Sequence, residues 1–268
     1  MPNPNIINLF REKKKNQKRI SMVTCYDHSF AKIIAQTEID CILVGDSLGM
    51  VFQGQSNTIP VTLEQMIYHT QAVKRGCPEK PVICDMPFLS YHVSIEKALE
   101  ACGKVFKETG CEAIKIEGGS EYICQLIAEL TDIGIPVMGH LGLTPQAFHV
   151  LGGHKLQARE SKDVRKIQEN SQSLELAGAF GIVLEMIPEN VTETVVEALK
   201  IPTIGIGAGK YTDGQVLVLN DMLGMDPDFH PKFLKKYLNL HDLTLQALTE
   251  YHKEVQENTF PFDENIYL

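Results

Sequence analysis

The chain has 268 residues, 44% of them apolar and 22% charged, with 25 basic against 34 acidic side chains for a net charge of −9. That acidic balance excludes a nucleic-acid surface, which needs a basic face to neutralise phosphate, and the apolar fraction excludes a disordered chain. No apolar run approaches the roughly 18 residues that cross a bilayer, and residues 1–18 hold no apolar stretch of signal-peptide length, so no membrane partner and a cytoplasmic location are expected.

Cys25, Cys41, Cys77, Cys84, Cys102, Cys111 and Cys124 all fall in the first half, without a C-x-x-C pair or zinc-finger histidines, and read as reduced, buried thiols. The length would allow two domains, yet α/β barrels commonly use about 250 residues as one and no linker-like composition interrupts the chain, so 1–268 is expected to be a single domain.

In chain order, the basic run Arg11 to Arg19 predicts a solvated amino-terminal helix, the alternative being contact with an anionic ligand or a second subunit. Strand patterns follow at RISMVTCY (19–26), CILVGD (41–46), PVICDM (81–86), AIKIE (113–117), PVMGHL (136–141), GIVLEM (181–186), PTIGIG (202–207) and QVLVL (215–219). Helical patterns lie between them over 29–37, 62–75, 94–109, 121–133, 163–177 and 189–199. In the third, Ser94 caps, Ile95, Ala98, Leu99, Cys102, Val105 and Phe106 form one apolar stripe, and Gly110 stops it. The strands lack alternation, as strands covered on both faces do, and eight β-then-α repeats predict a closed (β/α)8 barrel. Segments 49–60 and 142–162 break the rhythm as candidate active-site loops. Residues 231–257 read as apolar carboxyl-terminal helix packing outside the barrel, on its wall or on another subunit.

Charged residues end four of the strands: Asp46, Asp85, Lys115 with Glu117, and Glu185. The carboxyl ends of barrel strands face one cavity, where such folds keep their chemistry. Carboxylates about 4 Å apart repel by on the order of 4 kcal/mol per pair at an effective dielectric of about 20, so a cation or protons must intervene. An all-oxygen donor set favours Mg²⁺ over Zn²⁺. Asp46 and Asp85 suit direct ligation, and Glu117 suits ligation through water. A strand-end Asp is commonly a helix cap, but Asp46 precedes Ser-Leu-Gly and Asp85 precedes Met-Pro. Lys115 and Glu117, two apart, share one face. With the metal as electrophile, Lys115 as fixed charge and Glu185 as base, the cavity suits removal of a proton α to a carbonyl.

Weaker signals surround this set. Gly205-Ile-Gly-Ala-Gly209 follows strand seven, where barrels often bind phosphate; Lys210 stands in place of a third fingerprint glycine, which favours close backbone packing. His149 and His154 read as loop histidines, whereas His140, at the end of strand five, is placed to orient a site residue by a hydrogen bond.

The segments VGDSLGMVFQG (44–54), VTLEQMIYHTQAVKRG (61–76), DMPFLSY (85–91), IKIEGG (114–119), GHLGLTPQ (139–146), VLEMIP (183–188) and IGIGAG (204–209) resemble the ketopantoate hydroxymethyltransferase family along essentially the whole chain. The resemblance implies a barrel of the phosphoenolpyruvate/pyruvate type that joins 3-methyl-2-oxobutanoate to the one-carbon unit of 5,10-methylenetetrahydrofolate. Asp46 and Asp85 would hold Mg²⁺ with Glu117 completing the site; Asp46, Ser47, Asp85 and Lys115 would contact the 2-oxo acid; Glu185 would accept the proton. It also implies a homodecamer, a pentamer of dimers. The chain departs from the family pattern at Thr212, at Asn220 and at Gln36-Thr37, none of which touches the proposed metal or base. A lyase or mutase on a larger or phosphorylated 2-oxo acid would need further basic residues, and a non-catalytic barrel would have lost some of the five charged residues.

Overall fold

The strand-forming runs become parallel strands because their apolar residues are needed on both faces: β-branched and aliphatic side chains fill the barrel inside and meet the helices outside. The computed structural model describes residues 5–153 and 155–267. The chain falls into two compact units, Met1–Val218 and Leu219–Leu268.

In the first unit the order is α1 (Ile6–Lys15), β1 (Ile20–Thr24), α2 (His28–Ala35), β2 (Cys41–Val44), α3 (Leu48–Val51), α4 (Leu63–Gly76), β3 (Val82–Asp85) and α5 (Ile95–Thr109). It continues with β4 (Ala113–Glu117), α6 (Glu121–Asp132), β5 (Val137–Gly142), a 3-10 turn (Pro145–Ala147), α7 (Phe148–Leu151), α8 (Ser161–Leu176), β6 (Gly181–Glu185), α9 (Glu189–Ala198), β7 (Thr203–Ile206) and β8 (Gly214–Leu217). Neighbours pair in chain order and β1 closes on β8, Ile20 opposite Gly214, giving the expected eight-stranded barrel. The register sets Asp85 beside Lys115, Glu117 beside His140 and Gly142 beside Glu185. Strands β2, β3 and β4 are buried at every position.

Local signals fix the helix ends. The Thr62 hydroxyl accepts from the Gln65 backbone N–H and the Gln65 side chain returns the bond, a full capping box for α4. Ser94 caps α5, and Gly110 ends it at φ 66°. The helix expected in the basic run starts earlier and is not simply solvated. Ile6 and Phe10 of α1 are buried among Ile20, Met22, Leu43, Ile83, Met138 and Phe180, and Phe10 meets Phe180 edge-on at 5.3 Å. Burying a phenylalanine contributes roughly 2–3 kcal/mol, so α1 plugs one end of the barrel core. Its basic residues serve the fold through Lys13–Asp40 at 2.5 Å and Lys14–Asp213 at 2.9 Å. The two irregular loops carry short helices, α3 in one and α7 in the other. All seven cysteines are free thiols, six of them buried.

The second unit holds α10 (Leu219–Met222) and α11 (Leu240–Gln256). The carboxyl-terminal helix thus begins at Leu240 and not at Pro231, its start set by Asn239, whose side chain accepts from the Asp242 backbone N–H. None of the residues of α11 is buried.

Candidate active site

Strand ends after β2, β3, β4, β5 and β6 bring Asp46, Asp85, Lys115, Glu117, His140 and Glu185 into one connected array. The Lys115 Nζ lies 2.8 Å from Asp85 Oδ1, and both side chains are at most 5% exposed. The other Asp85 oxygen accepts the Asp46 backbone N–H at 3.1 Å. That approach needs Gly45: a Cβ there would lie 2.7 Å from the Ser47 hydroxyl and 3.4 Å from Asp85 Oδ2. Burial, then Asp85 and Glu117, push the Asp46 carboxyl well above the usual range. Burial also raises Asp85, with Lys115 pulling the other way. Burial works against the Lys115 ammonium, but Asp85, Glu117 and Asp46 outweigh it and raise its pKa.

His140 joins the two remaining acids. Its Nδ1 is 3.3 Å from Glu117 Oε1 and its Nε2 is 3.2 Å from Glu185 Oε2. Burial and Lys115 pull the imidazole pKa down, but hydrogen bonds to Glu117 and Glu185 lift it to about 9. Lys115 Nζ also approaches Nδ1 at 3.2 Å; when the ring is neutral, Lys115 donates there and Nε2–H still faces Glu185. Glu185 has the most accessible side chain of the array, 18% exposed against 3–6% for His140 and Glu117. Its backbone is also clamped: Leu143 N–H donates to the Glu185 carbonyl at 2.8 Å. Gly142, at φ 97°, makes this contact feasible, since a Cβ would collide with that carbonyl.

Sequence reasoning missed two members of the array. Gln146 is buried in the turn after β5; its Nε2 donates to Asp46 Oδ2 and to the Met86 carbonyl, both at 2.9 Å, and its backbone N–H donates to Glu117 Oε2 at 3.1 Å. Tyr91, fully buried, donates its hydroxyl to Gln146 Oε1 at 2.7 Å and accepts the Glu117 N–H at 3.3 Å. The available signal was their presence within the quoted segments DMPFLSY and GHLGLTPQ. Ser47 sits beside the array, its hydroxyl 2.9 Å from that of Tyr26 and not spent on capping α3. The 205–209 turn packs closely instead of opening: a Cβ on Gly209 would lie 2.6 Å from Glu189, whose carboxylate accepts the Lys210 N–H. His149 lies on α7, while His154 falls outside the described residues.

The donor set fits a hard cation. Asp46, Asp85 and Glu117 are buried carboxylates that could supply oxygen donors; Asp85 and Glu117 disfavour the charge on Asp46, Glu117 disfavours that on Asp85, and Lys115 is the counter-charge. Among the described residues no three His, Cys, Asp or Glu side chains converge as a ready-made cage. Mg²⁺ seldom uses such a cage and is held by one or two carboxylates, water and substrate oxygens.

The family model described as ketopantoate hydroxymethyltransferase matches residues 5–263. The 3-methyl-2-oxobutanoate hydroxymethyltransferase of Leptospira interrogans is 57% identical over 257 residues, covering 96% of this chain and 97% of that protein. The enzyme of the same name from Pseudothermotoga lettingae is 49% identical, covering 97% and 98%. Among solved structures, phosphonopyruvate hydrolase with oxalate and Mg²⁺ superposes with a TM-score of 0.64 at 11% identity, covering 99% of this chain and 92% of that one. A 2,3-dimethylmalate lyase of the phosphoenolpyruvate mutase/isocitrate lyase superfamily gives 0.60 at 14%, covering 98% and 92%. These two share the barrel fold.

Proposed function

This chain belongs to the ketopantoate hydroxymethyltransferase family, and we propose that it moves the one-carbon unit of 5,10-methylenetetrahydrofolate to 3-methyl-2-oxobutanoate, giving 2-dehydropantoate for pantothenate and coenzyme A synthesis. The activity is that of a transferase; the donor, the metal and the pathway are the proposed parts. The observation that carries the reading is the array itself: a partly accessible carboxylate, Glu185, 3.2 Å from the ring of His140, which in turn lies 3.3 Å from Glu117 in the buried acid cluster around Lys115.

Asp46 and Asp85 would hold Mg²⁺, with Glu117 completing the site through water. Bound there, Mg²⁺ would supply positive charge to the keto and carboxylate oxygens of the substrate and make its C3–H more acidic. Asp46, Ser47, Asp85 and Lys115 line the position of the 2-oxo acid, Lys115 contributing a fixed charge to the developing oxyanion. Glu185 removes the C3 proton, its carboxylate lying 3.2 Å from the His140 Nε2. C3 then forms a bond to the methylene carbon, water supplies the hydroxyl oxygen, and tetrahydrofolate leaves.

The reading extends to assembly and location. The apolar residues Leu243, Leu245, Leu248 and Tyr251 on α11 are more than half exposed, which supports contact with other copies of this chain; the proposed assembly is a homodecamer, a pentamer of dimers. None of the helices among the described residues is long and apolar enough to cross a membrane; a cytoplasmic enzyme is proposed.

Proton NMR of 3-methyl-2-oxobutanoate in D₂O tests the reading. Loss of the C3–H signal that requires both protein and Mg²⁺, followed by ketopantoate on addition of methylenetetrahydrofolate, is expected. Failure of both exchange and product formation would overturn it.

A further inference from the structure

Glu185 is followed by a residue whose backbone conformation suits glycine. Met186 has φ 49°, in the left-handed region, one of five non-glycine residues there among the described residues, with Gln17, Leu89, Ala158 and Asn258. An unbranched L side chain enters that region only at a cost, and a β-branched one scarcely at all. Nothing in the local sequence asks for it: Met186 stands between Glu185 and Ile187-Pro188, without the Asn, Asp or Gly that favours such a turn. The surrounding structure imposes it. The Glu185 carbonyl accepts the Leu143 N–H at 2.8 Å, the Met186 N–H donates to the Ile206 carbonyl at 2.9 Å, and the Met186 carbonyl accepts the Gln157 N–H at 2.8 Å. Gln157 is itself followed by left-handed Ala158, at φ 52°, so two of the five residues lie at this one junction. Downstream, Ile187 is buried and α9 starts at Glu189, which anchors the chain on that side as well.

We propose that Met186 is a positioning residue for Glu185 and acts through its backbone, not its side chain: the left-handed turn fixes the peptide between the two residues so that the carboxylate stands 3.2 Å from His140 Nε2. The inference rests on the role of Glu185 as base proposed above. With the chain held on both sides, a φ driven back to negative values must rotate that peptide plane. The bonds to Leu143, Ile206 and Gln157 cannot all survive the rotation, and the carboxylate moves with the end of β6. Conformations of this kind persist at functional sites because a displacement of about 1 Å in a reacting group can slow a reaction about 100-fold.

The test is deuterium exchange at C3 of 3-methyl-2-oxobutanoate with Mg²⁺, alongside the affinity of each variant for the 2-oxo acid and its melting temperature. Met186→Gly removes the whole side chain but takes a positive φ freely, and should keep exchange within about threefold of wild type. Met186→Val removes less of the side chain yet resists that φ. It should slow exchange by about 10–100-fold while 2-oxo acid affinity stays within a few-fold. That order is the reverse of what lost side-chain packing would give. Met186→Asn, which also tolerates a positive φ, should behave as the glycine variant does and carries the test where the valine variant does not fold. Exchange at the wild-type rate in a folded valine variant would overturn the proposal, as would a loss of about tenfold or more in a glycine or asparagine variant that still binds the 2-oxo acid. Wild-type protein that binds the 2-oxo acid without exchanging its C3 proton would overturn Glu185 as base, and this assignment with it.

Discussion

Gln146 and Asp46, one hundred positions apart in the chain, meet through a 2.9 Å hydrogen bond from the Gln146 Nε2 to the Asp46 Oδ2. The same residue gives its backbone N–H to Glu117, so one side chain and its own amide hold two of the three proposed metal carboxylates. Gln146→Leu keeps the volume and removes the donor. It removes the donor to the buried oxygens of Asp46 and Met86 and the acceptor of the Tyr91 hydroxyl, which keeps only the Glu117 N–H, at a cost of about 1–3 kcal/mol. Urea unfolding should show that loss, and Mg²⁺ titration should show affinity lowered by about 10–100-fold, as for other residues that orient ligands.

Glu185→Gln separates binding from proton transfer. The amide preserves shape and can still meet His140, but it cannot accept the C3 proton. Deuterium exchange at C3 should fall by about 10²–10⁴-fold while affinity for Mg²⁺ and the 2-oxo acid stays within a few-fold. Retained exchange would remove Glu185 from the role of base.

Asp85→Asn acts on both at once. The Lys115 ammonium, 2.8 Å away and buried, loses its ionised partner, and breaking a buried pair on one side costs about 3–5 kcal/mol. Metal and 2-oxo acid affinities should fall together, and the denaturation midpoint should drop. A variant as stable as wild type would show that Lys115 finds another partner or sheds its proton.

A pH-dependent stability is expected from the second unit. Burial, with Asp226 nearby, lifts the Asp221 carboxyl from 3.8 to about 6, Lys236 opposing. The folded form therefore binds the proton more tightly than the unfolded chain. That contribution is complete below pH 3.8 and is lost as pH rises through about 6. Because Asp221 is partly exposed, solvent screening reduces the effect to about 1 kcal/mol. Asp221→Asn should thus raise the melting temperature at pH 7.5 and match wild type near pH 4. A stabilisation that is constant across that range would contradict it.

Most of the barrel was legible because strand formation here is written locally. The runs CILV, VICD, AIKIE and GIVLE are apolar without alternation, which only burial on both faces accommodates. The β-then-α rhythm leaves few topologies other than a closed ring. The role of α1 was less legible: Lys13, Lys14 and Lys15 dominate its composition, and only closure of the barrel creates the apolar floor that Ile6 and Phe10 fill. The start of α11 was misplaced because Phe233, Leu234 and Tyr237 continue the apolar pattern upstream, whereas the helix waits for the Asn239 cap.

The sequence by itself determined the charged strand ends, Asp46, Asp85, Lys115, Glu117 and Glu185, because a charge closing an apolar strand is costly unless a site uses it. It also determined that Lys115 and Glu117 share a face, since the strand period is two. The tertiary structure decided which groups meet. Strand register put His140 between Glu117 and Glu185, and the fold brought Gln146 within hydrogen-bond reach of Asp46 and Glu117, and Tyr91 within reach of Gln146 and Glu117. The arrangement of segments 156–168 and 188–191 gathered Arg159, Arg165 and several apolar side chains around one cavity. Hydrophobic periodicity is read from neighbours in the chain, whereas a hydrogen bond between residues far apart in it exists only once the fold has brought them within 3 Å or so of each other.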